Sequence, residues 1–213
     1  HKEWEENPYP DLGKLAFDTL SRDFDIGSIG AGFGAQCGMM KGGLGTASFA
    51  LPNGITVGAL VAANPIGNPT ESSGRYFWAA PFEVADEFGG LGAPRGSHHA
   101  RLLTNTKLSP LSDRVNTSIG IVATDAVLSK AQAKRMATTA HDGFSRAIVP
   151  SRLPMDGDLI FGASTNQIPL PQDHLSFSEL CHAASLCVAR AIARGVYHAQ
   201  SYQGDYLKNW QSL

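Results

Sequence analysis

Apolar residues recur along this chain in two rhythms, one helical and one extended. Between Pro10 and Phe24, Leu12, Leu15, Ala16 and Leu20 fall on one face at helical spacing, which predicts an amphipathic helix. Thr46 to Leu51 and Ile55 to Ala63 read as strands. Pro52-Asn53-Gly54 between them predicts a hairpin, because Asn-Gly supplies the positive φ angles such turns need. The second of these strands is nearly continuous in apolar residues, which predicts cover on both faces. It ends in the turn Asn64-Pro65.

The extended rhythm returns at Ser118 to Thr124, a buried type of strand. Ser129 to Ile148 then reads as a helix. Ser129 and Gln132 form a capping box at its start, and Ala133, Met136, Ala137, Ala140, Phe144, Ala147 and Ile148 lie at helical spacing. Leu159 to Ala163 predicts another strand, preceded by Asp156-Gly157-Asp158. A last long helix is expected from Ser176, with a second capping box to Glu179 and an apolar stripe of Leu180, Ala183, Ala184, Cys187, Val188, Ala191 and Ile192. Two stretches lack either rhythm. Ile26 to Gly45 is glycine-rich and irregular, and Ile66 to Val115 offers only a short helical pattern near Phe82 to Phe88. Strands buried on both faces and flanked by one-sided helices imply sheets sandwiched between helix layers.

Composition narrows the function more than the fold. The 213 residues are 43% apolar and 17% charged, the balance of a globular domain, and the net charge of -2 gives no electrostatic argument for nucleic acid or an acidic membrane. No apolar run approaches the roughly 18 residues of a membrane span. The 23 glycines point to tight turns and close backbone approaches. Cys37, Cys181 and Cys187 cannot all pair and match no zinc spacing, which suits buried thiols in a reducing, cytoplasmic compartment. The chain opens on His1 without a signal-like segment, so the native start is expected to have been removed or to lie on another chain.

Several motifs dissolve on inspection. Gly30 to Ala35 contains a GxGxxA string, but no acidic residue follows at the required distance and the sequence runs on into more glycine rather than a helix. Lys41-Gly42-Gly43 lacks the order of a phosphate-binding loop. His98, His99, His141, His182 and His198 show no metal-ligand spacing, so no metal is expected. Asn116-Thr117-Ser118 matches a glycosylation acceptor, a pattern common by chance.

Thr117 stands at an abrupt boundary, with irregular sequence before it and a buried strand after it. An N-terminal nucleophile belongs at such a place. Its hydroxyl would attack the Asn116 carbonyl to give an ester, and water would release Thr117 with an α-amine of pKa about 7.7–8.0. One residue would then be both nucleophile and base. Taken singly, however, a threonine opening a strand is ordinary. So is Asp156-Gly157-Asp158 as a turn, although its two carboxylates could orient an ammonium and a hydroxyl. Asn64 could be a turn residue or an oxyanion donor. Lys41 could be a solvated charge or an aid to an oxyanion.

Together and in order, the segments Gly38 to Thr46 (GMMKGGLGT), Ala63 to Gly67 (ANPIG), Asn116 to Ala126 (NTSIGIVATDA) and Met155 to Phe161 (MDGDLIF) resemble the DmpA-type self-processing aminopeptidases, peptidase family S58. That family includes β-peptidyl aminopeptidases and nylon-oligomer hydrolases, and the likeness spans the chain except for Ile66 to Val115. The resemblance implies an αββα sandwich of the type shared with ornithine acetyltransferase. It also implies autocleavage between Asn116 and Thr117, with residues 1–116 and 117–213 staying together as one catalytic domain. Thr117 takes the nucleophile's position, Asn64 the oxyanion position, Lys41 an active-site lysine's position, and Asp156 and Asp158 those of the acidic pair that orients the nucleophile. Asp-Gly-Asp and a threonine nucleophile both lean toward the nylon-hydrolase branch.

The implied chemistry is amide hydrolysis on short peptides, amino-acid amides or ω-amino-acid oligomers, without cofactor or metal, in a homo-oligomer that is commonly a tetramer. Members of the family are longer, and an active-site tyrosine from their N-terminal part has no assignable counterpart here. Two alternatives stand beside this reading. One is acyl transfer in the manner of ornithine acetyltransferase; the other is a non-catalytic remnant that binds a small amide.

Overall fold

The computed structural model describes residues 6–94, 106–107 and 116–213. Its centre is a four-stranded sheet of β3 (Gly43–Ala50), β4 (Thr56–Ala63), β5 (Ile119–Ala126) and β6 (Leu159–Ile168), in that spatial order. The first two pairings are antiparallel and the last, β5 with β6, is parallel. Ahead of the sheet come α1 (Tyr9–Asp18) and a small ribbon of β1 (Gln36–Cys37) and β2 (Met40–Lys41). The helices α2 (Lys130–Ala140), α3 (Asp142–Ala147) and α4 (His174–Tyr197) cover one face of the sheet.

Alternation along the strands decides which face that is. Val57, Ala59, Val61 and Ala63 of β4 and Val122 of β5 are buried on the helix side, where they join Leu180, Ala184, Cys187, Val188 and Ile192 of α4. Helix and sheet can meet closely because Gly43 and Gly45 lack side chains. A Cβ at either position would run into the backbone of α4 at Ala191 and Gly195. The hairpin forms where predicted: Leu51 N–H donates to Ile55 O at 2.8 Å and Gly54 turns with φ 84°.

The opposite face is apolar but uncovered by the described residues. Ile119, Ile121, Leu159 and Phe161 lie there, Phe161 61% exposed, and Leu60 and Ala62 are half-buried. The expectation that β4 and β5 are covered on both faces is therefore corrected. Their continuous apolar runs serve one face packed on helices and one face left open among the described residues. In an αββα sandwich that face meets a second sheet, and among the described residues the two-stranded ribbon of β1 and β2 is the one other sheet.

Other boundaries move for identifiable reasons. The helix expected over 129–148 breaks at His141, which lets Gly143 of α3 settle against Ser185 and Val188 of α4 without a side chain between them. The capping box of Ser129 and Gln132 is present, with Ser129 N–H donating to Gln132 Oε1 at 2.9 Å. The last helix starts earlier than Ser176, because Asp173 accepts from Ser176 N–H at 2.6 Å and caps it instead. The first helix ends at Asp18 rather than Phe24, and none of its residues is buried. The segment read as irregular, 26–45, carries the ribbon, and 82–88 contributes only the end of a single 3-10 turn at Ala80–Phe82. His98 and His99 lie outside the described residues.

Candidate active site

Three adjacent strand ends converge at one edge of the sheet. β4 finishes at Ala63 and delivers Asn64, β5 begins just after Thr117 and Ser118, and β6 begins just after Asp156-Gly157-Asp158. The register pairs Ala62 with Ile119 and Ile119 with Leu159, so these segments lie side by side. Sheet topology alone thus gathers residues separated by as many as ninety-odd positions.

The Asn116–Thr117 peptide is gripped at both ends. Its N–H donates to the backbone carbonyl of Asn64 at 3.2 Å, and its carbonyl accepts from the Gly157 N–H at 3.1 Å. The Thr117 hydroxyl donates to that same Asn116 carbonyl at 2.5 Å. Beside it, buried Ser118 ties two further site residues together. Its N–H donates to Asp158 Oδ1 at 2.7 Å, and its hydroxyl oxygen accepts from the Asn64 N–H at 3.1 Å.

The orientation of the Asn64 side chain is fixed by two unambiguous donors. Its Oδ1 accepts from the Gln36 N–H at 3.0 Å and from Lys107 Nζ at 2.8 Å. Oδ1 is thereby the acceptor half of the amide and the NH2 group the donor half, the polarity an oxyanion site requires. Lys107 also donates to the Asn64 backbone carbonyl at 3.0 Å and is 97% buried, being 3% exposed. Sequence reasoning missed this lysine. It lies within the aperiodic stretch 66–115, where a lysine reads as a solvated charge, and no local signal marks it.

Asp156 and Asp158 form a buried carboxyl pair. Burial pushes Asp156 up to about 6; the Ile66 N–H, donating to its Oδ2 at 3.1 Å, opposes this, and the negative charge of Asp158 adds to it. Asp158 is also shifted upward, chiefly by burial, against the pull of its bonds with Ser118. Among the described residues no donor reaches the buried Asp156 Oδ1 or Asp158 Oδ2, two acceptors suited to an ammonium or a hydroxyl.

Lys41 is placed differently. It is buried on β2, but its ammonium pairs with Asp205 at 2.8 Å and lies about 6 Å from the rings of Phe33 and Tyr202, at 5.9 and 5.8 Å. Its strand partner Gln36 reaches Asn64 through the backbone, so Lys41 belongs to the wall next to the site. The structure thus brings Asn116, Thr117, Asn64, Asp156 and Asp158 together with Lys107 and Ser118, and turns Lys41 toward the segment after α4. Among the described residues no group of His, Cys, Asp and Glu is arranged to hold a metal, and no helix is long and apolar enough to cross a membrane. The three cysteines are buried, and burial pushes the Cys37 thiol up to about 12.

Comparison with known proteins identifies the family. The sequence profile of peptidase family S58 matches residues 13–208. The chain belongs to peptidase family S58. It is 36% identical over 212 residues to an uncharacterized aminopeptidase of Mycobacterium tuberculosis, an alignment covering 94% of this chain and 61% of that protein. It is 27% identical over 184 residues to a 6-aminohexanoate-oligomer endohydrolase of Kocuria, covering 76% of this chain and 47% of the other. Among solved structures it is similar to the L-aminopeptidase D-Ala-esterase/amidase of Ochrobactrum anthropi, a variant of the Ntn-hydrolase fold, with TM-score 0.60 and 25% identity. That match covers 92% of this chain and 51% of that one. The fold is accordingly the αββα type, and the chain spans 61% or less of the length of each of these relatives.

Proposed function

We propose that this chain cuts itself between Asn116 and Thr117 and then hydrolyses amide bonds, with Thr117 as nucleophile and its new α-amine as base. The observation that carries the reading is the Thr117 hydroxyl held 2.5 Å from the carbonyl oxygen of the peptide it must attack. Membership of a peptidase family and likeness to aminopeptidases and an oligomer endohydrolase support hydrolysis of peptide or related amide bonds.

In this account the α-amine, once released, stays beside the Asn64 carbonyl and accepts the Thr117 hydroxyl proton. The NH2 group of Asn64 receives the oxyanion of the substrate carbonyl, held in orientation by Lys107 and Gln36. The partnerless oxygens of Asp156 and Asp158 hold the amine and hydroxyl of Thr117 in register. Lys41 and the aromatic rings around it form the adjoining wall, where a substrate's side chain or spacer would lie. No step requires a metal or cofactor. The substrates are short peptides, amino-acid amides or ω-amino-acid oligomers, and the working unit is a homo-oligomer in a cytoplasmic setting.

The test is Thr117→Ala in the whole protein, assayed on amino-acid p-nitroanilides and on linear 6-aminohexanoate oligomers. The expected result is an uncut chain with no turnover above background. Turnover that survives the substitution would overturn the assignment of Thr117.

A further inference from the structure

We infer that the oxyanion of self-cleavage is held by the backbone N–H of Gly157, a different donor from the Asn64 amide that serves substrates. The inference rests on the self-cleavage reading above and deepens it. Before cleavage the carbonyl under attack is that of Asn116. Its described protein donors are the Thr117 hydroxyl, which must turn away to become the nucleophile, and the Gly157 N–H at 3.1 Å, which stays. As Thr117 Oγ1 bonds to the Asn116 carbon, the carbonyl becomes an alkoxide whose charge falls on the oxygen facing Gly157. The C–N bond then breaks and the hydroxyl proton ends on the departing nitrogen. The product is an ester between Asn116 and Thr117 Oγ1, and one water converts it to the Asn116 carboxylate and free Thr117.

The Gly157 bond continues the spacing of the parallel β5–β6 ladder just ahead of its first pair, Ile119 with Leu159, since Leu159 N–H donates to Ser118 O at 3.0 Å two residues further on. A bond of ordinary sheet geometry thus becomes a preorganised oxyanion donor because the scissile peptide has been placed in the ladder. The residue type at 157 fits this use. Gly157 is not among the glycines with positive φ, so backbone conformation does not demand it. What demands it is the nucleophile, because a Cβ there would lie 2.6 Å from Thr117 Oγ1 and 3.5 Å from the Asn116 oxygen. The other end of the peptide is held by the Asn64 backbone carbonyl, which accepts from the Thr117 N–H at 3.2 Å.

The experiment removes single N–H groups by amide-to-ester replacement in the whole protein, with glycolic acid at position 157 or the α-hydroxy analogue of leucine at 159. Self-cleavage is followed by intact mass against time, and folding by circular dichroism. The 157 ester is expected to cleave about 100-fold or more slowly, the cost of losing one oxyanion donor. The 159 ester, which loses an equivalent ladder bond, is expected to cleave near the normal rate. Gly157→Ala should also stay uncut, because its methyl displaces the hydroxyl. An unmodified protein that never cleaves would remove the self-cleavage reading and this inference together. If the unmodified protein cleaves and the 157 ester cleaves as fast, or the 159 ester is slowed as much, the inference alone falls.

Discussion

Two regions of the molecule bury charge, and they do so in opposite ways. At the outer edge of the sheet, Glu87 meets Arg190 through two bonds of 2.5 and 3.0 Å, and Arg190 donates onward to Ser48 O at 2.8 Å. Arg194 stands 3.6 Å from the same carboxylate and caps Thr46 O. Opposite charges reinforce each other there: the bond to Glu87 holds Arg190 above its ordinary pKa. At the strand ends near Thr117, two carboxyls are packed together with an oxygen each left without a donor, and burial and repulsion raise Asp156 to about 6. One arrangement spends most of its polarity on holding the edge strand, with Arg194 Nε left as a buried donor without a hydrogen-bond partner among the described residues. The other keeps polarity in reserve, and unsatisfied buried acceptors are where a fold carries chemistry at a cost to stability.

Exchanging carboxyls for amides should break the comparison most sharply. Asp158→Asn is expected to lower kcat by about 100-fold or more, since misplacing a reacting group costs that much, while leaving the melting temperature close to normal. Glu87→Gln should do the reverse. It strands two arginines at a partly buried edge and costs about 3 kcal/mol in urea unfolding, with little effect on kcat per folded molecule. If both substitutions act on stability alone, the contrast between the regions is wrong.

Lys107→Met comes next in size. Loss of a charged donor to Asn64 is expected to cost about 1.5–3 kcal/mol of transition-state stabilisation, roughly 10- to 100-fold in kcat/KM, without loss of fold. Lys41→Met, which removes the pair with Asp205, should change KM more than kcat. Equal effects of the two substitutions on kcat would move Lys41 into the chemistry.

A smaller effect concerns pH. A carboxyl whose folded pKa lies above its unfolded value binds more protons when folded. Stability from Asp156 is therefore greatest below about 4 and is lost as pH rises toward about 6. Asp156→Asn should flatten that part of the profile and raise the melting temperature at pH 7 relative to pH 4. An unchanged slope between those values would contradict the raised pKa of Asp156. Smallest of all, Ser129→Ala should cost about 1 kcal/mol through the capping box and leave turnover untouched.

Much of this was legible in the sequence because it is local. The β-hairpin followed from Asn53-Gly54, the start of α2 from Ser129 and Gln132, and the helix stripe of α4 from its spacing. The strand end at Thr117 followed from the change of rhythm around it. What escaped was either a competition between neighbours or a long-range contact. Asp173 outcompeted Ser176 as the cap of α4, and Gly143 broke the predicted helix to reach α4. The open sheet face misled the burial estimate, because an apolar strand looks the same whether its second partner is present or not. Lys107 was invisible for a related reason. Its burial depends on Asn64, 43 positions away, and nothing within its own segment encodes that. Lys41 shows the converse, since a motif could place it near the site but could not say that Asp205 would take its ammonium.

The most direct measurement is the intact mass of the whole protein under denaturing conditions, with sequencing of any new N-terminus. The account predicts two fragments, the second beginning at Thr117, and a single uncut mass for Thr117→Ala. An unmodified protein that turns over amides as one uncut chain would contradict it.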